Sequence, residues 1–424
     1  MSKITKYALS DLYDMSSGLS SKKEQAGHGA PFVSFGTVFN NYFLPEELPD
    51  LMDTNEKEQQ IYSIKAGDVL ITRTSETIDE LAMSCVAVKD YPKATYSGFT
   101  KRLRPKREGI AYPKYMAFYF RSALFRKAVT NNAFMTLRAS FNEDIFTFLD
   151  VYLPDYDKQV RIGDILYRIE CKIQKNKEIN DYLEEMTKTI YDYWFVQFDF
   201  PDENGKPYKS SGGKMVWNDK LNLQIPNTWQ STELSSYGKI ISGGTPSTEN
   251  EDFYADDGIA WITPNDLSNN TSNMFISHGE RDISVQGLNN SSATLIPSSS
   301  ILLSTRAPIG YIAVSMNELT TNQGFKTLVP NDTDNTSFLY YLIKRNIPYL
   351  EQMGTGTTFK EVSKDSMEHL TVILPSNNIL AHFFQKIKPY MMLRKSYEQE
   401  TKKLISIRNW LLPIVMNGQA TIKD

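Results

Sequence analysis

Cysteine is nearly absent from this chain of 424 residues: Cys85 and Cys171 are the only two, and neither has a second thiol or a histidine near it at metal-ligand spacing. A disulfide framework and a zinc ribbon are thereby excluded. Histidine is scarce as well, with His28, His278, His369 and His382 scattered along the chain, so no metal-binding or catalytic cluster can be read from it. The longest apolar segments, such as Trp410 to Met416, fall far short of a membrane span, and no apolar leader follows Met1 to Lys6. The expectation is a cytoplasmic protein with no membrane partner.

Three chemical signatures are also missing. A methyltransferase acting on DNA bases needs an Asx-Pro-Pro-aromatic loop, and the chain has no Pro-Pro pair. Each Gly-Lys pair, at Gly205, Gly213 and Gly238, is followed by Pro, Met or Ile where a phosphate-binding loop needs Ser or Thr. Pro154-Asp155 followed by Glu170-Cys171-Lys172 has the spacing of a nuclease metal motif, but two residues along a helix point about 200° apart, so Glu170 and Lys172 cannot share the face that motif requires. The chain is expected to be no enzyme, and to hold neither metal nor cofactor.

What is present is an ordinary globular composition, 41% hydrophobic and 23% charged, in a length that suggests about two to four domains at roughly 100–200 residues each. Lys and Arg number 46 against 50 Asp and Glu, which rules out a uniformly basic binder. The charge is uneven. Residues 217–375 carry nine basic against seventeen acidic residues, while 376–424 carry eight against three. The densest basic run, Lys101 to Arg107, is either a solvated loop or a nucleic-acid contact.

The chain repeats itself. Leu149-Asp150-Val151-Tyr152-Leu153-Pro154 answers to Leu370-Thr371-Val372-Ile373-Leu374-Pro375, and Asp144 to Asp365, at a common offset of 221. Upstream, Gly67 to Arg73 resembles Ser299 to Arg306, and Ser97-Gly98-Phe99 resembles Gln323-Gly324-Phe325, at a larger offset that implies loop insertions. After each Pro the pattern turns helical. Ile162, Leu166, Ile169, Ile173, Asn176, Asn180, Leu183, Thr187, Ile190 and Trp194 follow alternating spacings of three and four. At the same offset come Phe383, Ile387, Tyr390, Arg394, Tyr397, Thr401, Leu404, Arg408, Leu411 and Val415. Both seams are apolar at their ends and polar in the middle. A helix of about 40 residues would span roughly 60 Å and needs its stripe covered, most simply by the other helix, with packing onto its own globular half as the alternative. Phe200 to Pro207 and Ser210 to Gly213 read as linker.

Several stretches resemble the DNA-sequence specificity subunit of type I restriction-modification systems, across nearly the whole chain. Tyr191-Asp192-Tyr193-Trp194-Phe195-Val196-Gln197-Phe198-Asp199-Phe200-Pro201 looks like that family's central conserved region, and Leu411 to Gln419 like its carboxyl terminus. Ser242-Gly243-Gly244-Thr245-Pro246-Ser247, Trp261 to Leu267, Ser304 to Gly310 and Thr321-Asn322-Gln323-Gly324-Phe325 look like landmarks of a target-recognition domain. The first half departs further: it offers only Ser16-Ser17-Gly18-Leu19-Ser20 for the glycine element, and Arg73-Thr74-Ser75 where the second half has Arg306-Ala307-Pro308.

The resemblance implies an α+β fold, with two globular α/β target-recognition domains in pseudo-twofold arrangement, separated by two long antiparallel coiled-coil helices. Its parts would be 1–154 (first recognition domain), 155–196 (central helix), 197–216 (linker), 217–375 (second recognition domain) and 376–424 (carboxyl-terminal helix). It implies a non-catalytic reader of double-stranded DNA, each domain taking half of a bipartite site. Two methyltransferase subunits would bring S-adenosylmethionine, and restriction/translocase subunits would complete the assembly. The competing readings are a fused single-chain enzyme, disfavoured by the missing methyltransferase loop, and a coiled-coil protein adaptor without DNA binding, favoured by the acidic second half.

Residue choices follow from chemistry. Gly243 and Gly244 permit close backbone approach and Thr245 and Ser247 offer hydroxyls, as a phosphate site or a plain turn would. Arg306 suits guanine, and Asn322 or Gln323 adenine, or each stabilises the fold instead. Thr357, Thr358 and Lys360 form a polar loop, and Arg73, Thr74, Lys101, Arg102 and Arg138 are the weaker first-half candidates. The acidic Glu249, Glu251, Asp252, Asp256 and Asp257 are expected on a face away from DNA. Leu166, Ile169, Ile173, Leu183, Ile190, Ile387, Tyr390, Leu404 and Leu411 are expected to pack the helices, whose ends would dock the partners.

Overall fold

Val69–Thr72 and Ile301–Ser304 are four-residue strands buried throughout, and each lies in the middle of a sheet whose two faces are both covered. The computed structural model describes residues 4–75, 80–132, 139–306, 308–354 and 360–416. Two compact units divide the chain: Met1–Gln174 with Lys402–Asp424, and Lys175–Thr401. Side chains alternate across a strand. In the first unit, accordingly, Val69 and Ile71 enter one core with Leu103 and Val86, while Leu70 enters another with Cys85 and Tyr96. The second unit repeats this, with Ile301 and Leu303 joining Val314 and Leu328, and Leu302 joining Ala313 and Phe325.

The same plan is built twice. In the first unit the strands run in the order Tyr13–Ser17, Thr100–Pro105, Val69–Thr72, Ser84–Val86, all antiparallel. In the second they run Gly238–Ser242, Phe325–Pro330, Ile301–Ser304, Ile312–Ser315, with Phe275–Ile276 added in parallel at the edge. A smaller sheet accompanies each. There Ala26–Val33 pairs in parallel with Thr95–Tyr96, as Ile259–Ile262 does with Thr320–Thr321. The repeated strand that ends in Pro closes each unit: Asp150–Pro154 pairs antiparallel with Ile4–Ala8, and Thr371–Leu374 with Gln230–Glu233.

A long helix leaves each of these closing strands. The first covers Tyr156–Tyr191, 36 residues, and continues as one wider π-helical turn over Asp192–Val196; the second covers Asn377–Met416, 40 residues. At 1.5 Å per residue these are about 54 and 60 Å long. Every seam position of both helices is buried or half-buried, so the three-four spacing did mark the covered face.

Each unit pairs one end of one helix with the opposite end of the other. In the first unit, Ile162 and Leu166 share a core with Leu411, Leu412, Val415 and Met416, and Arg408 reaches Glu170 at 2.7 Å while lying 4.9 Å from the Tyr42 ring. In the second, Trp194 and Phe195 pack on Phe383 with ring centroids 5.7 and 4.8 Å apart, and Asn176 donates to Glu400 at 2.8 Å. Partner numbers fall as residue numbers rise, which makes the pairing antiparallel. Ile173, Leu183 and Ile387 are buried, and Ile169, Ile190, Tyr390 and Leu404 half-buried. The two coverings weighed from sequence occur together, because each helix end also joins the core of its own unit.

The polar middle of the seams holds a buried charge cluster in the second unit. Arg394 bonds to Glu184 and, at 3.1 Å, to Glu398, whose carboxylate also accepts the backbone N–H groups of Met274 and Phe275 at 2.9 Å each. Burial raises the pKa of Glu398, against the pull of Arg394 and those two N–H groups. Glu184 further accepts from Lys344 and Tyr341. Truncating one member of such a set would strand a charge away from water, a cost of about 3–5 kcal/mol.

Candidate nucleic-acid interface

The landmarks separated along the second half come together at one end of its sheets. Gly243 N–H donates to Phe325 O at 3.3 Å and Gly244 N–H to Thr321 O at 2.9 Å; Asn322 N–H donates to Ile262 O at 3.0 Å, Thr305 N–H to Gly324 O at 2.8 Å, and Val362 N–H to Thr305 O at 2.9 Å. Trp261 Nε1 donates to Gly244 O at 3.1 Å. Thr263 caps the short helix Pro264–Ser268 beside them. Five stretches of sequence, the four landmarks and the segment at Val362, are thus tied into a single backbone frame.

The first unit carries the same frame. Gly18 N–H donates to Thr100 O at 3.3 Å, Leu19 to Tyr96 at 2.8 Å, Ser97 to Val33 at 3.0 Å, Arg73 to Phe99 at 2.8 Å and Phe141 to Arg73 at 2.8 Å. The turns match too, since Ser97 Oγ accepts from Phe99 N–H at 3.2 Å where Asn322 Oδ1 accepts from Gly324 N–H at 2.9 Å. A Cβ on Gly18 would stand 2.1 Å from Ser97 O, and one on Gly243 2.0 Å from Asn322 O. Only glycine fits either place.

These bonds correct two correspondences drawn from sequence. Ser97 matches Asn322, not Gln323, so Phe99 stands at the position of Gly324. Thr74 pairs across its ladder with Ser140 as Arg306 does with Glu361, so Thr74, not Arg73, is the counterpart of Arg306. Register in paired strands is set by backbone hydrogen bonds, and identical letters one residue away do not report it. Gly18 was legible only as part of a weak serine-glycine stretch, yet it does the work of Gly243.

The side chains on this frame differ in exposure. Arg306 is exposed, and its Nε lies 2.9 Å from Glu361, which also receives Lys326 at 3.3 Å. Burial works against the charge of Glu361, but these two hydrogen bonds outweigh it and hold its pKa below the usual carboxylate range. Thr245 bonds to the Gln323 side chain, Asn322 is half-buried, and Ser247, Gln323 and Lys360 are exposed. Gly243 and Gly244 lack side chains because their own chain fills the space, a Cβ on Gly244 falling 2.3 Å from Ser292 C; close packing accounts for both without a phosphate.

In the first unit Arg73 is exposed and Thr74 half-buried. Lys101, opposite Ser17 as Lys326 is opposite Ser242, donates to Ser17 Oγ at 2.8 Å. Burial, then the charge of Arg73, lowers its pKa. Arg102 is corrected outright: it is buried, its Nη1 bonds to Ser63 O at 2.5 Å, and its guanidinium sits 5.5 Å from the Tyr96 ring. Arg104 is likewise engaged twice by Asp68, at 2.8 and 2.6 Å. The basic run is a strand whose pleat turns part of its charge inward. Arg138, Thr357 and Thr358 lie outside the described residues.

The acidic stretch begins beside the glycine loop, where Tyr254 donates to Pro246 O at 3.0 Å. Glu251 and Asp256 line a cavity of about 520 Å³ with Glu280, Asp282, His278 and Arg281. Among the described residues no group of three His, Cys, Asp or Glu is placed to hold a metal ion, and no helix is long and apolar enough to cross a membrane.

A model of the type I restriction modification DNA specificity domain matches residues 1–185 and 226–392. The specificity subunit of the type I restriction enzyme HindI from Haemophilus influenzae is 26% identical over 441 aligned residues, covering 92% of this chain and 94% of that protein. That of MjaIX from Methanocaldococcus jannaschii is 38% identical over 155 residues, 36% of this chain and 35% of that one. Among solved structures, a type I restriction-modification S subunit from M. genitalium is similar with a TM-score of 0.61 at 12% identity, over 98% of this chain and 96% of that one, which bears on the fold.

Proposed function

The chain belongs to the type I restriction modification DNA specificity family, and on that premise we propose how this specificity subunit divides its work. Each unit reads one half of a bipartite double-stranded DNA site, and the chain itself catalyses nothing. The observation that carries this reading is the pair of equivalent frames: five matching backbone hydrogen bonds hold two different sets of outward side chains. A shared scaffold with different side chains is what reading two different half-sites requires, because base contacts specify while backbone contacts position.

In the second unit Arg306, steadied through Nε by Glu361, would offer its terminal amino groups to guanine, and Asn322 or Gln323 an amide to adenine. Thr245, Ser247 and Lys360, with Thr357 and Thr358, would meet phosphates. In the first unit Arg73 and Lys101 would take phosphates and Thr74 a base edge, with Arg138 a further candidate. The helices would space the two units: half-sites on one side of DNA recur at about 34 Å, within reach of helices 36 and 40 residues long. Exposed positions on the helix ends would dock two methyltransferase subunits, which bring S-adenosylmethionine, and restriction/translocase subunits would join them in the cytoplasm.

The test is methylation mapping of the host genome, joined to DNA binding by the assembled complex. The expected result is one bipartite motif and an affinity that falls steeply with salt. An assembled complex that forms normally yet shows no salt-dependent DNA binding would favour the adaptor reading instead.

A further inference from the structure

We propose that Phe99 determines specificity in the first unit by packing its phenyl ring against the apolar part of a base. The proposal rests on the DNA-reading function above and adds a contact of a different chemistry. The ring is 64% exposed at the tip of the frame, so an apolar surface stands in water where the fold gains little from it. Its backbone is held at both ends: Phe99 N–H donates to Ser97 Oγ at 3.2 Å, and its carbonyl accepts from Arg73 N–H at 2.8 Å. The neighbouring Gly98 N–H donates to Leu19 O at 2.7 Å, which ties the turn to the glycine loop.

The surroundings suit nucleic acid. Arg73, whose N–H bonds to the Phe99 carbonyl, is exposed, and Lys101, two residues further along the strand, bonds to Ser17, so the residue that carries the ring has a basic residue next to it on each strand. Phosphates answer the cations, and a base face or a thymine methyl answers the ring. The second unit cannot do the same. Gly324 holds the equivalent position, is buried, and would meet Asn322 Oδ1 at 3.1 Å and Pro264 Cγ at 3.4 Å if it carried a Cβ. That unit presents polar Asn322 and Gln323 instead.

The experiment uses the full chain assembled with its methyltransferase partners and a duplex carrying the mapped site. Phe99→Ala should weaken binding about ten-fold, an effect within the range for removing an aromatic that contacts a base, while Phe99→Tyr and Phe99→Trp retain it. The salt slope and binding to unrelated DNA should stay as in the wild type. Two probes separate the possible base surfaces. Replacing a half-site thymine by uracil costs the wild type but not Phe99→Ala if the ring meets a methyl, whereas 2-aminopurine brightens only with the wild type if the ring enters the stack.

Wild-type affinity and methylation pattern in Phe99→Ala would overturn the proposal, as would an equal loss on unrelated DNA. Failure of Phe99→Ala to assemble would also overturn it, by showing that the ring meets a protein partner. No DNA binding by the wild-type complex would overturn the function reading itself, and this contact with it.

Discussion

In the first unit Gly18, Ser97, Phe99 and Thr74 occupy the positions held in the second by Gly243, Asn322, Gly324 and Arg306. The glycines agree because each Cβ would strike a backbone carbonyl, and the residue that ties the turn agrees in chemistry, a hydroxyl in one and an amide in the other. Thr74 and Phe99 differ from Arg306 and Gly324, although Lys101 and Lys326 agree. What the comparison teaches is that the backbone bonds persist while side chains change, inward at Leu19 against Gly244 as well as outward at Thr74 against Arg306, with Gly18 and Gly243 held by their packing.

The helices differ in a second way. Near the first unit's sheets one ion pair, Arg408 with Glu170, lies in the seam, whereas in the second Arg394 is shared by Glu184 and Glu398 and the latter grips two backbone N–H groups. The second unit therefore has more to lose from a single substitution.

The largest expected effect comes from exchanging residues 217–375 for the matching segment of a relative. One half of the methylated motif should change completely and the other not at all, as sequencing of modified DNA would reveal; a change in both halves would dissolve the comparison. Next, Arg394→Ala should lower unfolding stability by about 3–5 kcal/mol, because the buried Glu398 loses the cation beside it and the half-buried Glu184 keeps only Lys344 and Tyr341. Denaturant titration should find the loss larger than for Arg408→Ala, and a reversed order would mean that the cluster contributes less than its geometry implies. A charge at Leu166, by Leu166→Asp, should likewise cost several kcal/mol through desolvation in the first unit's core.

Smaller effects sharpen the match between the frames. Gly18→Ala and Gly243→Ala should each cost about 1–3 kcal/mol by overpacking and weaken DNA binding through the half-site of their own unit. Arg306→Ala should relax discrimination at one base pair by about 1–3 kcal/mol, while Arg73→Ala should weaken all duplexes alike and reduce the salt slope by about 1. Selective loss in Arg73→Ala would restore Arg73 as the counterpart of Arg306. The smallest effect concerns acid. The pKa of Glu361 is lowered on folding, so its contribution is present above the ordinary carboxylate pKa and fades as pH falls through the lowered value. With its side chain 35% exposed, screening keeps this under about 1 kcal/mol, and Glu361→Gln should remove it from a pH series of stability.

The sequence by itself determined the two long helices, their covered face and the strand that closes each unit. Those signals are local: a spacing of three and four, or a run of apolar residues ending in Pro, follows from the covalent geometry of one segment. It also brought Gly243, Asn322 and Arg306 under suspicion by their chemistry. The tertiary structure alone decided which residue of one half matches which of the other, because register is set between strands far apart in the chain and inserted loops shift the offset. It alone decided that Arg102 points inward while Lys101 beside it reaches Ser17, since a strand alternates regardless of charge and only its neighbours define which side is core. The exposure of Phe99 was decided in the same way: an apolar letter reads as core until the fold leaves nothing over it.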